Sequence, residues 1–247
     1  MSTGARTALI TGSGQNIGRA IALALAADGF NIMVNGLTKR VACEETAEAC
    51  RAHGVEAVVT MGDAGTAEGC NEVAGIGISR FGAVDVMVHN AAIRPSSAFL
   101  EMDEAEWRRV MDINLSGSFW LARACLPGMV RKGWGRIVTL AGMNAIHGYK
   151  GRAHVSVSKH GNWGLAKSLA KEFGPKGITA NCVSPGPIRS DHDDPAMTTH
   201  IAEMAARVPR GTLGEPDEVA AAVSLLASDK GAFINGQLIQ VNGGAET

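Results

Sequence analysis

Short runs of Val, Ile and Leu alternate with longer helix-forming stretches along the whole chain. Continuous apolar strands separated by helices are typical of a parallel sheet that helices cover on both faces. Right-handed crossovers then give an α/β fold with a doubly wound parallel sheet, in a single domain over 1–247. We predict helices over 16–27 and 41–52. The predicted strands are 7–10, 31–34, 55–60, 84–88, 135–140, 178–183 and 238–241.

The composition excludes several other classes of protein. Of the 247 residues, 46% are hydrophobic and 19% are charged, which is ordinary for a globular domain and too apolar for a disordered chain. The 23 basic and 24 acidic residues leave a net charge of −1. This balance gives no electrostatic reason to expect nucleic acid or an anionic membrane as a partner. No apolar run is long enough to span a membrane and no secretory leader precedes the first strand, so we expect a cytoplasmic protein.

The cysteines and the acidic residues do not indicate a metal site. The five cysteines are odd in number and form no C-x-x-C pair, so we expect neither a disulfide framework nor a zinc site. A reducing compartment fits this pattern. The sequence Asp-His-Asp-Asp over 191–194 has the composition of a metal cluster, but we interpret it as part of a polar loop and predict no metal.

A glycine-rich loop follows the first predicted strand and leads directly into a helix. It reads Thr-Gly-Ser-Gly-Gln-Asn-Ile-Gly over 11–18. Glycines at such a turn let the backbone approach a pyrophosphate, which is then held by free N–H groups at the N-terminus of the helix. A glycine-rich turn alone is weak evidence, but its position between the first strand and a helix favours a dinucleotide site.

With further motifs, the chain resembles the short-chain dehydrogenase/reductase family over nearly its whole length. The loop 11–18 resembles the family's T-G-x-x-x-G-x-G, with Asn16 at the middle glycine, where asparagine tolerates a left-handed φ better than most residues. Asp63 matches the aspartate that holds the adenine amino group, and Asn114 matches the active-site asparagine. Three segments resemble, in order, the N-N-A-G segment, the P-G motif that meets the nicotinamide carboxamide, and the C-terminal strand: 89–92, 184–188 and 234–244.

The resemblance implies a Rossmann-like fold, a nicotinamide dinucleotide cofactor and a small-molecule substrate. It also implies a homotetramer that packs partly through the helix carrying Lys159. The residues that it implies for cofactor binding are Gly12, Gly14, Gln15, Asn16, Ile17, Gly18, Thr38, Lys39, Asp63, Asn90, Lys159, Pro185, Gly186 and Ile188.

The choice between NAD and NADP depends on the residue that ends the second strand. An acidic side chain there would bind the ribose 2′-OH and repel a 2′-phosphate. Gly36 takes this position and is followed by Leu37, Thr38, Lys39 and Arg40. With no carboxylate and two nearby cations, we expect NADP(H), with NAD(H) as the less favoured option. The alternative for the two cations is an ordinary solvated loop.

The predicted active site departs from the family pattern at two positions. The resemblance implies an asparagine, a serine, a tyrosine that transfers the substrate proton, and a lysine four residues later that lowers the tyrosine pKa and holds the nicotinamide ribose. Asn114 and Lys159 are present, but the serine position is Gly142 and the tyrosine position is Val155. Valine donates no proton, so interconversion of a carbonyl and an alcohol needs another donor here.

Tyr149 is the only tyrosine of the chain and lies in the loop that borders the substrate in the family. We predict it as a catalytic residue beside Asn114 and Lys159, with water held by those two residues as the alternative proton source. His147, in the same loop, could titrate near neutrality. For both Tyr149 and His147, a place in the pocket wall or on a surface loop remains open.

Other residues near Val155 are weaker candidates. His154 points away from the lysine face of the helix, and Ser156 is a poor acid without a base, so neither is favoured. We predict that the loops 93–100 and 143–152 shape the substrate pocket, together with a lid around 189–212 whose helix runs over 200–210. Nothing in these segments names a substrate.

We therefore expect an NADP(H)-dependent oxidoreductase that acts on a small carbonyl or enone-type substrate with a non-standard proton donor. One alternative is a catalytically impaired NADP(H)-binding sensor or scaffold subunit, which also explains a retained cofactor loop beside a missing acid. A non-redox lyase on the same fold is less favoured. Family relatives of that kind, the halohydrin dehalogenases, keep the serine and tyrosine and lose the nucleotide loop.

Overall fold

A seven-stranded parallel sheet with the strand order β3-β2-β1-β4-β5-β6-β7 forms the centre of the protein. The structure is a computed structural model that describes residues 4–190, 203 and 205–246. The strands are β1 (Thr7–Ile10), β2 (Asn31–Gly36), β3 (Ala57–Met61), β4 (Val86–His89), β5 (Gly135–Leu140), β6 (Ile178–Pro185) and β7 (Leu238–Val241). Each predicted strand is present within two residues at either end, so the doubly wound parallel sheet is confirmed.

Helices connect the strands and cover both faces of the sheet. The two predicted helices are confirmed, the second with a shift of one residue. A π-helical turn (Asp112–Ser116) joins α4 to α5, and short 3₁₀ turns follow α7 and α8. The helices are α1 (Asn16–Ala27), α2 (Arg40–Arg51), α3 (Ala67–Phe81), α4 (Glu104–Met111), α5 (Gly117–Lys132), α6 (Asn144–His147), α7 (Ala153–Phe173) and α8 (Pro216–Ala227).

The strands send alternate side chains into two apolar layers. Ala8 and Ile10 of β1 pack in the layer formed with α1, α2 and α8, whereas Leu9 packs in the layer formed with α3, α5 and α7. All three side chains are fully buried. Because helices cover both faces, these strands are rich in Val, Ile, Leu and Ala without a strict polar alternation, and this is why the sequence pattern identified them.

The chain changes direction across the sheet between β1 and β4, which are neighbours although α1, β2, α2, β3 and α3 separate them in sequence. Open α/β sheets bind ligands in the crevice at such a point, beyond the carboxyl ends of the strands. Hydrogen bonds join the two loops here. The Asn90 N–H donates to Thr11 Oγ1 over 3.0 Å, and Asn90 Nδ2 donates to the Thr11 and Gly12 oxygens, each over 3.0 Å.

The remaining global features concern thiols, membranes and metals. All five cysteines are buried and free. Among the described residues, no helix combines the length and apolar character needed to cross a membrane. No group of three or more metal-ligating side chains lies in that part of the chain either. The acidic segment 191–194 lies outside the described residues, as do 195–202 and 204 of the predicted lid and therefore the first residues of its predicted helix 200–210.

Candidate active site

A cavity of about 1110 Å³ opens at the carboxyl ends of β1 and β4. Every residue that the sequence predicts for cofactor binding lines it. Gly142, Tyr149, Val155 and Lys159 line the same cavity, whereas Asn114 is fully buried behind its wall. Motifs from distant parts of the chain therefore surround one space that suits an elongated ligand and a small molecule beside it.

The loop between β1 and α1 forms one end of this cavity. Gly12 has a φ of +62°, and a Cβ on Gly18 would lie 2.3 Å from the Gly12 oxygen, so both positions require glycine. Asn16 has a φ of +49°, the only positive φ of a non-glycine residue in the described ranges, and so adopts the left-handed conformation that suits the family's glycine. The side chain of Gln15, the N-cap residue of α1, makes no capping hydrogen bond. This geometry fits a pyrophosphate bound by backbone N–H groups.

An acidic side chain at the end of β2 would require the thiol of Cys43 to move. A Cβ on Gly36 would lie 2.5 Å from Sγ of Cys43, a buried residue of α2. Thr38 and Lys39 follow along the cavity wall, and Lys39 Nζ donates to Gln15 Oε1 over 2.9 Å. A lysine and a hydroxyl without a competing carboxylate fit a 2′-phosphate.

Asp63 follows β3 on the wall near the same end of the cavity. Its Oδ2 lies 3.0 Å from Arg109 of α4, and its Oδ1 accepts a hydrogen bond from the Gly65 N–H over 2.8 Å. These contacts fix the carboxylate beside the cavity, and its bond to an adenine amino group remains a prediction.

The last residue of β6 and the segment after it line the cavity on the side of Lys159 with Pro185, Gly186 and Ile188. The Gly186 N–H donates to the oxygen of Val241 in β7 over 2.9 Å. A Cβ on Gly186 would lie 2.6 Å from the Cα of Asn242, so the two chain segments approach closely only because residue 186 is glycine. The C-terminal strand thereby fixes the backbone that is predicted to meet the carboxamide.

Lys159 of α7 is buried at this end, with Val155 one helical turn before it; their exposed fractions are 4% and 1%. Lys159 Nζ donates to the backbone oxygen of Leu140, the last residue of β5, over 2.7 Å. Burial first, and the positive charge of Arg94 second, lower the pKa of Lys159 to about 7. The amine therefore exchanges its proton near neutral pH.

Asn114 lies in the π-helical turn, and its polar atoms are engaged within the protein. Its Oδ1 accepts from the Ile93 N–H over 2.9 Å, and its Nδ2 donates to the Ile93 oxygen over 3.0 Å and to Ser158 Oγ over 3.3 Å. Its backbone oxygen accepts from Asn162 Nδ2 over 2.7 Å. Asn114 thus ties the loop after β4 to α7. The π-helical turn itself was not predicted, because one extra residue in a turn leaves no mark on apolar spacing.

Comparison with known proteins agrees with this architecture. A protein-family model described as enoyl-(acyl carrier protein) reductase matches residues 12–246. The 3-oxoacyl-[acyl-carrier-protein] reductases FabG of Staphylococcus aureus and Escherichia coli are each 36% identical to the chain over 239 residues, which is 97% of this chain and 97% and 96% of theirs. The chain belongs to the short-chain dehydrogenase/reductase family.

A solved structure extends the family match to three dimensions. It comes from Beutenbergia cavernae and is described as a candidate NAD(P)-dependent gluconate 5-dehydrogenase with NADP bound at low occupancy. Its TM-score to this protein is 0.90 at 33% identity, over 99% of this chain and 98% of that chain. The family expected from the sequence motifs is therefore confirmed.

The positions of the family's serine and tyrosine, as aligned from the motifs, form a wall without an acid. Gly142 has a φ of +145°, and no atom lies within 4 Å of where its Cβ would be. Val155 presents only methyl groups to the cavity. Tyr149 lines the cavity with a half-exposed ring that lies 5.1 Å from the Arg152 guanidinium.

His147, His154 and Ser156 are the other side chains considered as proton donors, and of these only His147 lines the cavity. His147 lines the cavity, and its Nδ1 lies 2.9 Å from Glu246. His154 is fully buried and bonded to Glu106 over 3.1 Å, outside the cavity wall. Ser156 does not line the cavity either.

Three further side chains at the cavity end of β4 and α7 were not predicted. Arg94 and Arg152 line the cavity from the two loops that we expected to shape the pocket. His89, the last residue of β4, is fully buried with both ring nitrogens unpartnered among the described residues. Burial and then the charge of Lys159 lower the pKa of His89 to about 3, so its imidazole is neutral. Its sequence signal is the histidine at the first position of the N-N-A-G segment, whereas a lone loop arginine is more typical of a solvated surface.

Proposed function

We propose that the protein is an NADP(H)-dependent oxidoreductase that acts on a small carbonyl or enone-type substrate with a proton donor other than the family's tyrosine. The observation that carries this proposal is one cavity that joins the α1 loop at one end to Lys159 at the other. The names of the relatives describe reductases and a dehydrogenase, and the solved relative binds NADP. None of these names decides the substrate of this chain.

The residues around the cavity fit the cofactor, which when bound supplies or accepts the hydride. The loop 11–18 and the first turn of α1 would hold its pyrophosphate, and Thr38 and Lys39 its 2′-phosphate. Asp63 would hold the adenine, Lys159 the nicotinamide ribose, and the backbone of 185–188 the carboxamide. These roles are supported by the shared cavity, by the positive φ at Gly12 and Asn16, and by the absence of a carboxylate at Gly36.

Tyr149 is the proton donor that we favour. Its ring lines the cavity together with Lys159. The turn that carries it is closed by a hydrogen bond from the backbone N–H of Arg152 to the backbone oxygen of Tyr149 over 3.1 Å. A water molecule beside Lys159 is the alternative, supported by the pKa of about 7 that lets this amine pass a proton near neutrality. Asn114 acts in this scheme as a positioning residue, because its side chain holds the Ile93 peptide.

A second candidate function is an NADP(H)-binding sensor or scaffold subunit without turnover. The buried Val155 and Gly142, which has no side chain, favour it, because neither can take part in proton transfer. The non-redox lyase is less favoured, since the glycine-rich loop and its left-handed Asn16 are retained.

We further propose a homotetramer in the reducing cytoplasm. Phe119 of α5 and Val157 of α7 are apolar and 44% and 48% exposed, which suits helices that pack against a second copy. The buried free thiols are in keeping with a reducing compartment. Light scattering after size exclusion tests the assembly, and a monomer contradicts it.

The decisive experiment is titration of the protein with NADPH and NADH, followed by NADPH oxidation with a panel of ketones and enones. We expect tighter binding of NADPH and turnover that Tyr149→Phe reduces about a hundredfold, the usual contribution of a positioned acid. NADPH binding without turnover of any panel member favours the sensor. Failure to bind either nucleotide contradicts the oxidoreductase.

A further inference from the structure

We propose that Arg94 and Arg152 form an oxyanion-binding subsite, so that the substrate of this enzyme carries a carboxylate or a phosphate beside its reacting group. The inference rests on the proposed function for the chemistry of the reacting group only. The anion-binding site itself is argued from the cavity wall.

Two loops bring the arginines to the same part of the cavity. Arg94 lies in the loop after β4, and Arg152 immediately precedes α7. The Ser97 N–H donates to the Gly151 oxygen over 2.8 Å, so the two loops are joined beside the arginines. The Ile93 peptide before Arg94 is held at both its N–H and its oxygen by the buried Asn114. The backbone that carries both guanidinium groups is therefore fixed before any ligand binds, which lowers the entropic cost of binding.

Neither guanidinium has a partner of opposite charge in the described part of the chain. No carboxylate lies within ion-pair distance of Arg94 or Arg152 there, and Arg152 Nε is buried without a hydrogen-bond partner. By contrast, Arg189 on the same cavity wall lies 2.8 Å from Glu215. A buried donor without a partner destabilises the protein, and an anion bound beside Arg152 would satisfy its Nε. The exposed side chain of Arg94 is free to contact the same anion.

The positive charges also act on one another. Desolvation by the surrounding loops and then the charge of Arg152 lower the pKa of Arg94, although part of this side chain is exposed. The charge of Arg94 in turn contributes to the lowered pKa of Lys159. Three cationic groups thus share one end of the cavity. An anion placed among them removes this repulsion and binds two guanidinium groups that match the geometry of carboxylate and phosphate oxygens.

The cavity wall does not supply that anion itself. Its described carboxylates are Asp63, which pairs with an arginine of α4, and Glu246, which lies 2.9 Å from His147. The phosphates of the proposed cofactor would lie at the other end, against the α1 loop and Lys39. Among the described residues of the wall, no carboxylate is left to neutralise Arg94 and Arg152, and an anionic group of the substrate would fill this role.

The test is calorimetric titration of the full-length protein, with and without NADP⁺, using paired probes. One pair is acetoacetate and its methyl ester, and the other is dihydroxyacetone phosphate and dihydroxyacetone. The variants are Arg94→Gln and Arg152→Gln. Arg123→Gln is the matched control, because Arg123 is an exposed arginine of α5 that does not line the cavity. NADPH affinity is measured for every variant.

In each pair, we expect the wild-type protein to bind the anion more tightly than the neutral probe. For at least one pair, the difference in affinity should be about tenfold or more. Each cavity variant should remove about tenfold of that preference while NADPH affinity and the Arg123→Gln control stay unchanged. The tighter of the two anions identifies carboxylate or phosphate as the group recognised. If the wild-type protein binds no NADPH but still prefers the anionic probes, the proposed cofactor is overturned and this subsite stands. Equal binding of charged and neutral probes, no anion binding at all, or anion binding that both variants retain would overturn the subsite.

Discussion

Lys159 and Leu140 are joined by a hydrogen bond of 2.7 Å from a buried ammonium group to a backbone oxygen. A carbonyl carries no full charge, so it offsets little of the cost of burying an ammonium group. Burial, which this one hydrogen bond does not offset, lowers the pKa of Lys159 from 10.5 to about 7, and the positive charge of Arg94 contributes to the shift.

The first prediction follows from the sign of this shift. Below pH 7 both the folded and the unfolded chain hold the Lys159 proton, and the folded chain bears the full destabilisation. Between about pH 7 and 10.5 the unfolded chain binds more protons, so the free energy of unfolding rises with pH. Lys159→Met should therefore raise the free energy of unfolding at pH 6 by about 1–4 kcal/mol. The gain should shrink by pH 9.

Urea denaturation at pH 6 and pH 9 measures this effect. Lys171→Met, on the solvated end of the same helix, is the control, and it should leave the difference between the two pH values unchanged. A Lys159→Met variant that is destabilised equally at both pH values would contradict the buried, uncompensated charge.

The second prediction concerns cofactor choice. Lys39→Ala should weaken NADPH binding about tenfold and NADH binding less than about twofold, because only NADPH carries the 2′-phosphate that a lysine would pair with. Fluorescence titration of both nucleotides measures the ratio. Lys150→Ala, at an exposed lysine that does not line the cavity, should change neither affinity. Equal losses for the two nucleotides would remove Lys39 from the phosphate site.

The third prediction concerns the missing acid. Val155→Tyr places a phenol one turn before Lys159 on the cavity wall, and it should raise ketone reduction by at least about tenfold. Val155→Phe carries the same ring without the hydroxyl and should give no gain. If the phenylalanine variant gains as much as the tyrosine variant, the effect is one of pocket shape and not of proton transfer.

Gly142→Ser should behave differently from Val155→Tyr. The φ of +145° at Gly142 lies in a region that is almost restricted to glycine, so a serine there should lower the free energy of unfolding by about 1–3 kcal/mol. Thermal and urea unfolding of Gly142→Ser and of Gly142→Ala measure this cost. Alanine should cost as much as serine, since the strain comes from the Cβ. If Gly142→Ser leaves the free energy of unfolding unchanged, the backbone at this position relaxes freely.

The fold was predictable from the sequence because both sheet faces are buried. Every residue of β1 is apolar except Thr7, and the glycine-rich loop marks the turn into α1. The position of Asn16 was predictable for a local reason, since asparagine is among the few side chains that adopt a left-handed φ. These features depend on neighbours in sequence.

The features that escaped prediction depend on contacts between distant segments. Arg94 and Arg152 lie in separate loops but line one cavity. The Ser97–Gly151 hydrogen bond and the Asn114–Ile93 contacts hold these loops in place. Because these contacts cannot be recognised in the sequence, the sequence alone indicates two surface arginines. The burial of His89 likewise depends on close packing against Gly117, where a Cβ would lie 2.9 Å from His89 Nε2.

The last prediction uses this buried histidine. His89 has a pKa of about 3 in the folded chain and 6.5 as its ordinary value. Between these values the unfolded chain binds more protons, so stability falls as the pH drops from 6.5 toward 3. One such group contributes a slope of about 1.4 kcal/mol per pH unit. His89→Leu removes the titrating group and should flatten the pH dependence of the free energy of unfolding between pH 4.5 and 6 by about that slope. His53→Leu, at an exposed histidine after α2, should leave the slope as it is. An unchanged slope in His89→Leu would mean that the buried imidazole is charged in the folded protein and donates to a hydrogen-bond acceptor there.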